Sequence, residues 1–134
     1  MRLERYIKDM QIELHTLREI VETMVLPAAY EYAGQLGQAA ANAKSAGIKV
    51  IPQVDAANRV GTLISELETA RELLLKAIEK SEKMHDEPEK LAAFLTSEGA
   101  DRMSQVRAAS DALEGIVSDD VWPLPRYREM LFPV

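Results

Sequence analysis

The sequence predicts an all-α fold, an elongated up-and-down bundle of three to four long helices in a single domain of residues 1–134. Apolar residues recur at spacings of three and four along much of the chain, which is the period of a helix packed on one side. No segment is predicted as a strand. The connections between the predicted helices are short, and short connections favour antiparallel neighbours.

The composition is that of a globular domain and argues against several function classes. Hydrophobic residues make up 47% of the chain and charged residues 28%, which is the range of folded domains. The net charge of −6 makes a nucleic-acid partner unfavourable. The chain has no cysteine, which excludes disulfides and thiolate metal sites. No uncharged run reaches the ~20 apolar residues that span a bilayer, and no signal peptide is visible. We therefore expect a cytoplasmic chain with no membrane partner.

The first predicted helix covers residues 3–46 and opens with the clearest periodic pattern in the chain. Seven apolar residues alternate at spacings of four and three, and charged residues fill most of the positions between them. We call these seven residues the N-terminal seam and predict that they pack against other helices or subunits. They are Leu3, Ile7, Met10, Leu14, Leu17, Val21 and Met24.

Two features of the same helix give further expectations. Pro27 removes a backbone donor and crowds the carbonyl four residues earlier, so we predict a kink there. Small residues stacked at Ala33, Gly37 and either Ala40 or Ala41 predict a close helix crossing. Gly47 is a suitable left-handed C-cap, and an extended connection over residues 48–52 is expected after it.

The second predicted helix covers residues 55–84 and begins at Asp55, an N-cap type of residue. Its apolar residues at helical spacing predict the inward face. These residues are Val60, Ile64, Leu67, Leu74 and Ile78.

The third predicted helix covers residues 88–117. Pro88 lies in its first turn, and acidic residues lie beside the positive end of its dipole. The apolar phase continues across Gly99, so the pattern fits either one helix or two helices separated near that glycine.

Residues 118–134 form a predicted Trp-Pro tail, because Pro123, Pro125 and Pro133 interrupt regular structure. The tail carries the only tryptophan and several further apolar side chains, which need a surface to pack on. The predicted docking residues are Trp122, Leu124, Tyr127, Leu131 and Phe132.

The sequence offers no strong catalytic or cofactor motif. Glu82 and His85 have the Glu-x-x-His spacing of di-iron bundles, but such sites need two of these pairs and two more glutamates. His15, the other histidine, lies on a charged helix surface. We therefore interpret Glu82 and His85 as part of a solvated helix end. A metal-binding bundle is the weaker interpretation of this pair. No nucleophile elbow or phosphate-binding loop is present, so we predict no catalytic, cofactor-binding or metal residue.

Two stretches resemble type III glutamine synthetases. The tail residues Val121-Trp122-Pro123-Leu124-Pro125, followed by Tyr127 and Glu129-Met130-Leu131-Phe132, are similar to the terminal signature Leu-Trp-Pro-x-Pro-x-Tyr-x-x-x-Leu-Phe, with Val121 in place of leucine. The first helix resembles the helix that follows the catalytic core in that family. The residues that carry this second resemblance are Tyr6-Ile7-Lys8, Ile12-Glu13, Thr16, Met24 and Leu26-Pro27-Ala28.

The resemblance implies a noncatalytic C-terminal helical domain with a structural or subunit-assembly role. Enzymes of this family join ammonia to glutamate with ATP, through a γ-glutamyl phosphate and divalent metals. Their active sites belong to an upstream catalytic region, so no catalytic residue is carried over to this chain. The implied partners are that upstream region and other subunits of a homo-oligomer. The alternative function is a free-standing cytoplasmic adaptor that pairs through the N-terminal seam.

Overall fold

The computed structural model describes residues 2–125, which form an antiparallel bundle of three long helical rods. The first rod consists of α1 (Arg2–Ile20), a π-helical turn (Val21–Val25, the first π turn) and α2 (Leu26–Ser45). The second rod is α3 (Ile51–Glu82). The third rod consists of α4 (Pro88–Phe94), a second π turn (Leu95–Gly99) and α5 (Ala100–Glu114). No strand occurs in the described part of the chain, and the predicted all-α bundle is confirmed.

The helix ends differ in places from the predicted ones. α3 begins at Ile51, not at Asp55, because Pro52 lies in its first turn, where the fixed φ of proline suits a helix and its missing N–H costs nothing. The extended connection predicted for residues 48–52 is therefore wrong at Ile51 and Pro52, which are helical. Gly47 does end the first rod with a φ of 77°, and the Ile48 N–H donates to the Ala43 carbonyl at 2.9 Å. α3 and α5 end at Glu82 and Glu114, slightly before the predicted Met84 and Val117.

The first rod passes Pro27 without leaving the helical state. The first π turn directly precedes this proline, and the Leu26 N–H donates to the Val21 carbonyl five residues earlier. A π-type bond inserts one extra residue into the helix. The hydrogen-bond register therefore changes next to Pro27, and a kink of the helix axis stays a prediction.

The third rod likewise continues across Gly99. The Ala100 N–H donates to the Leu95 carbonyl, which is again a five-residue span. Gly99 is buried in the second π turn. Of the two arrangements that the sequence left open, the structure has one continuous rod with a local π turn.

The core runs along the line where the three rods meet. α3 contacts α1, α2 and α5, and α1 also contacts α4. The most deeply buried large side chains come from all three rods: Leu14, Val21, Val25, Val60, Leu67, Leu74, Leu95, Val106 and Leu113.

Within residues 2–125, no helix crosses α2 closely at the small residues where a crossing is predicted, so that prediction is wrong for this part of the chain. A Cβ atom added at Gly34 or at Gly37 would meet no atom within 4 Å apart from the neighbouring backbone of α2 itself. The small residues that α2 does bury are Ala28 and Ala29, at its N-terminal end. Most of the remaining small side chains of α2 lie at or near the surface.

None of the helices in residues 2–125 combines the length and the apolar character needed to cross a membrane.

Candidate assembly site

The N-terminal seam is largely used inside the bundle. Ile7, Leu14 and Val21 are buried in the core, and Met10 and Leu17 pack against it half-buried. The two ends of the seam, Leu3 and Met24, are exposed. The middle of the seam therefore holds α1 against α3 and α4.

Met24 leaves the seam because of the first π turn. The extra residue in this turn rotates the following side chains around the helix, so that Val25 takes the inward position and is 0% exposed, whereas Met24 is 43% exposed. Leu26 and Ala29 continue the buried face in α2. A strict heptad count cannot register this shift, since it assumes a constant number of residues per turn.

Each π turn presents a glutamate that joins its rod to α3. In the first π turn, Glu22 accepts a hydrogen bond from Arg71 Nη1 of α3 at 2.7 Å. Arg18, one helical turn before Glu22, donates from Nε to the second carboxylate oxygen at 3.3 Å. Glu22 is thus held between two guanidinium groups, one from its own rod and one from α3.

The second π turn repeats this arrangement with Glu98. Its carboxylate lies 3.6 Å from Lys80 Nζ of α3 and 3.8 Å from Arg102 Nη2 of α5. Both distances are longer than those at Glu22, and Lys80 is well exposed. The pairs at Glu98 are therefore the weaker of the two sets.

Nearby carboxylates also shift the pKa values of Arg71 and of Tyr30. Arg71 Nε lies 3.4 Å from Glu68 Oε1. Burial works to lower the pKa of Arg71, but the hydrogen bond to Glu22 and the two nearby carboxylates outweigh it and raise that pKa. Partial burial and the adjacent Glu68 raise the pKa of Tyr30 in α2.

A third link joins α1 to the third rod. The Tyr6 hydroxyl lies 2.6 Å from Thr96 Oγ1 in the second π turn. Thr96 Oγ1 donates to the Ala92 carbonyl, so the Tyr6 hydroxyl is the donor of the pair. Both π turns thus take part in contacts between rods.

The described part of the tail packs on the core. Trp122 is only 8% exposed and belongs to the core cluster, and Leu124 packs against that cluster half-buried. The backbone N–H of Trp122 donates to the Ser118 carbonyl at 3.1 Å. The other predicted docking residues, Tyr127, Leu131 and Phe132, lie outside the described residues.

The geometry around Glu82 and His85 is that of a helix end. His85 Nδ1 contacts the backbone carbonyl of Glu82 at 3.1 Å, and His85 Nε2 lies 3.3 Å from Asp86 Oδ1. Across residues 2–125, no three histidine, aspartate or glutamate side chains lie close enough to hold a metal ion together. His15 is exposed on α1.

A shallow groove of ≈ 460 Å³ lies between α3 and α5. Four alanines, Leu73 and a few polar side chains line it. These groups provide a packing surface and no pair of catalytic acids or bases.

The amino-acid sequence of this chain is similar to parts of known proteins. The sequence model described as "Glutamine synthetase C-terminal domain" matches residues 1–44, which comprise α1, the first π turn and most of α2. The first third of the chain is therefore similar to that domain. The resemblance to glutamine synthetases that the first helix predicted is thereby confirmed.

Two curated relatives extend the similarity to almost the whole chain. The type-3 glutamine synthetase of Dictyostelium discoideum is 33% identical over 135 residues, which cover 96% of this chain and 18% of the relative. The glutamine synthetase of Bacteroides fragilis (strain YCH46) is 30% identical over 135 residues, which cover 97% of this chain and 18% of the relative. The chain thus spans about a fifth of the length of these relatives and matches their C-terminal end. No solved structure matches it at a significant level.

Sequence reasoning missed the Glu22–Arg71 contact and the inward position of Val25. Glu22 and Arg71 are 49 residues apart in sequence, and helix periodicity gives no information on pairs at that distance. The sequence gives one indication for Arg71: it is a charged residue one helical turn before Leu74, a predicted core residue.

Proposed function

We propose that this chain is the noncatalytic C-terminal helical domain of a type III glutamine synthetase and that its role is structural or in subunit assembly. The similarity to two glutamine synthetases over 96% and 97% of the chain supports this proposal, since the same match covers only 18% of each relative. The remainder of such a polypeptide would contain the catalytic region.

In this proposal, the parent enzyme ligates ammonia to glutamate with ATP. ATP and the divalent metals are bound by the upstream catalytic region, which is also the first partner of the helical domain. Other copies of the subunit are the second partner, and the setting is cytoplasmic.

The bundle is well suited to a bracing role because its three rods are joined by polar contacts as well as by a common core. Glu22 joins the first rod to α3, Glu98 joins the third rod to α3, and Tyr6 joins the first rod to the third. Each pair of rods is therefore connected at the surface. These hydrogen bonds and ion pairs restrict sliding of the rods and favour a fixed outer surface.

The alternative function, an adaptor that pairs through the N-terminal seam, is disfavoured by the burial of that seam. Leu14 is 1% exposed and Val21 is 0% exposed, because both residues already pack inside the bundle. A partner could reach these side chains only if the bundle opened.

A test of the proposed role uses the complete polypeptide that contains this chain. Leu67→Asp places a charge at a fully buried position of α3 and should unfold the bundle. We expect loss of the native oligomer by size-exclusion chromatography, together with a large loss of glutamine formation. Ser65→Asp, at an exposed position of the same helix, is the matched control and should leave both unchanged.

Two results would contradict the proposal. If the Leu67→Asp polypeptide kept full assembly and activity, the domain would have no structural role. If the isolated 134-residue chain formed glutamine, the domain would not be noncatalytic.

A further inference from the structure

Three lysines line one hollow at the end of the bundle where α3 meets the third rod. The hollow has a volume of ≈ 590 Å³, which is within the range of small-molecule sites. Its lysines are three of the seven in the chain, although the chain as a whole has a net charge of −6. We call it the lysine hollow and define it by Lys80, Lys83 and Lys90 together with Met84 and Phe94.

The lysines approach the hollow from two sides. Lys80 lies in the last turn of α3 and Lys83 directly follows this helix, so the two side chains leave it on the same face. Lys90 comes from α4, on the other side of the short connection between the rods. Lysines that enclose one hollow from two helices suit a compact anion better than an extended acidic peptide.

The ammonium groups of these lysines have unused hydrogen-bond donors. Lys83 is exposed and has no ion pair within residues 2–125. Lys80 and Lys90 lie 3.6 Å and 3.8 Å from the carboxylates of Glu98 and Glu87. Both distances exceed the length of a charge-assisted hydrogen bond, which is about 2.7–2.9 Å. Each ammonium group therefore keeps donors for a further acceptor.

Two carboxylates share the lysine hollow but do not cancel its positive charge. Glu98 also lies 3.8 Å from Arg102 Nη2, so two cations share this one carboxylate. The Glu87 side chain is 57% exposed, and water and salt screen its charge. Glu82, at the same end of α3, lines a different groove between α1 and α3. The three lysines and Arg102 thus outnumber the two glutamates beside them.

Met84 and Phe94 give the hollow an apolar floor. Both side chains are half-buried and pack against the core cluster, and their remaining surface lines the hollow. A phenylalanine ring and a thioether make favourable contacts with flat ring systems. Lysine ammonium groups bind phosphate as point charges. The lining therefore matches a ligand that combines anionic groups with a flat ring.

We propose that the lysine hollow binds a phosphorylated small molecule that carries a flat ring. The phosphates contact Lys80, Lys83 and Lys90, and the ring lies on Met84 and Phe94. A nucleoside diphosphate is a member of this class. The inference goes beyond the proposed function, which assigns no ligand to this chain.

The first test measures the binding of ADP to the 134-residue chain by isothermal titration calorimetry, without added divalent metal. ADP supplies both parts of the ligand, whereas pyrophosphate supplies only the anionic groups and adenosine only the ring. We expect ADP to bind in a one-to-one ratio and more tightly than pyrophosphate or adenosine. The affinity for ADP should fall as the NaCl concentration rises, because salt screens the lysines.

Two substitutions that each remove one charge should act in opposite directions. Lys83→Gln removes the ammonium group that has no ion pair and should weaken ADP binding by about three-fold. Glu87→Gln removes the carboxylate that competes with phosphate for Lys90 and should strengthen ADP binding by about two-fold. A loss of structure cannot produce a gain in affinity, so the second variant separates ligand binding from stability.

Lys76→Gln is the matched control for Lys83→Gln. Lys76 is also an exposed lysine of α3, but it lines a separate depression with Glu68 and Glu72, about 10 Å away along the helix. This substitution should leave the affinity for ADP unchanged. Equal weakening by both variants would show that ADP responds only to net charge and would overturn the proposal.

Phe94→Leu tests the apolar floor. It keeps an apolar side chain against the core but removes the aromatic ring, so it should weaken the binding of ADP more than that of pyrophosphate. Circular dichroism verifies that the variant keeps its helices. An unchanged ratio of the two affinities would overturn the placement of the ring on Phe94.

Three further results would overturn the proposal: no binding of ADP at millimolar concentration, pyrophosphate that binds as tightly as ADP, or a hexaglutamate peptide that binds more tightly than ADP. The last result would assign the hollow to an acidic protein segment. None of these results concerns the assembly of the complete polypeptide, which the Leu67→Asp experiment tests separately.

Discussion

Arg71 of α3 donates a hydrogen bond of 2.7 Å to Glu22 in the first π turn. Both side chains are less than one-third exposed, at 22% and 30%, so water screens the interaction only in part. The pair lies where the first rod changes its hydrogen-bond register. It therefore fixes the π turn against α3 at the position where the helix alone would be least regular.

Removal of this pair should destabilise the bundle measurably. We expect Arg71→Met to lower the free energy of unfolding by about 1–2 kcal/mol, because it leaves the Glu22 carboxylate half-buried without its shorter partner. Urea unfolding followed by circular dichroism measures the change. Lys90→Gln, which removes an exposed 3.8 Å ion pair with Glu87, is the control and should change stability by less than about 0.5 kcal/mol. Equal effects of the two substitutions would show that the Glu22 pair has no special role.

The shift of the buried face at the first π turn gives a second prediction. Val25→Ala should lower the free energy of unfolding by about 2 kcal/mol, since it opens a cavity at a fully buried position. Met24→Ala should cost less than about 0.5 kcal/mol because Met24 is exposed. Chemical unfolding of both variants tests this directly. The reverse order of effects would mean that the heptad pattern continues unbroken through Met24.

The tail tryptophan should contribute strongly to stability. Trp122→Ala removes a large side chain from the core and should cost about 3 kcal/mol, as measured by thermal unfolding of the helices. Pro123→Ala, at the exposed neighbouring position, should have an effect below about 0.5 kcal/mol. If Trp122→Ala unfolded like the parent chain, the Trp-Pro signature would not be part of the core.

Tyr30 should titrate above the usual tyrosine pKa of about 10. Partial burial and the negative charge of Glu68 both disfavour the phenolate and raise the pKa of Tyr30 in the folded state. The folded chain therefore holds this proton more tightly than the unfolded chain. The resulting stabilisation is present below pH ~10 and is lost as the pH rises through the higher folded-state pKa.

The difference in ultraviolet absorbance between the parent chain and Tyr30→Phe isolates this titration from the other three tyrosines. Glu68→Gln should lower the Tyr30 midpoint toward the usual value. A Tyr30 midpoint at or below the usual value would contradict the described environment.

Much of the fold could be predicted because most of the helices follow a constant period. Leu14, Val21, Leu67 and Leu74 lie at predicted inward positions and are all buried. Apolar spacing fixes which face of a helix is inward as long as the number of residues per turn does not change. The bundle and its main core residues follow from that rule.

The π turns and their contacts could not be predicted in the same way. A π turn depends on competition between alternative backbone hydrogen bonds, which leaves little trace in the apolar pattern. It moved Met24 outward and Val25 inward, and it set Glu22 opposite Arg71. The sequence also misplaces the start of α3, because proline suits an extended segment as well as the first helical turn, where Pro52 lies.

The central claim, that this chain functions as the C-terminal domain of a larger synthetase, is tested most directly by the mass of the native polypeptide in cell extract. An antibody raised against the 134-residue chain would detect that polypeptide after denaturing electrophoresis. We expect a band several times heavier than 14.9 kDa, in keeping with relatives of which this chain covers 18%. A single band at 14.9 kDa would contradict the claim and would indicate a free-standing helical protein.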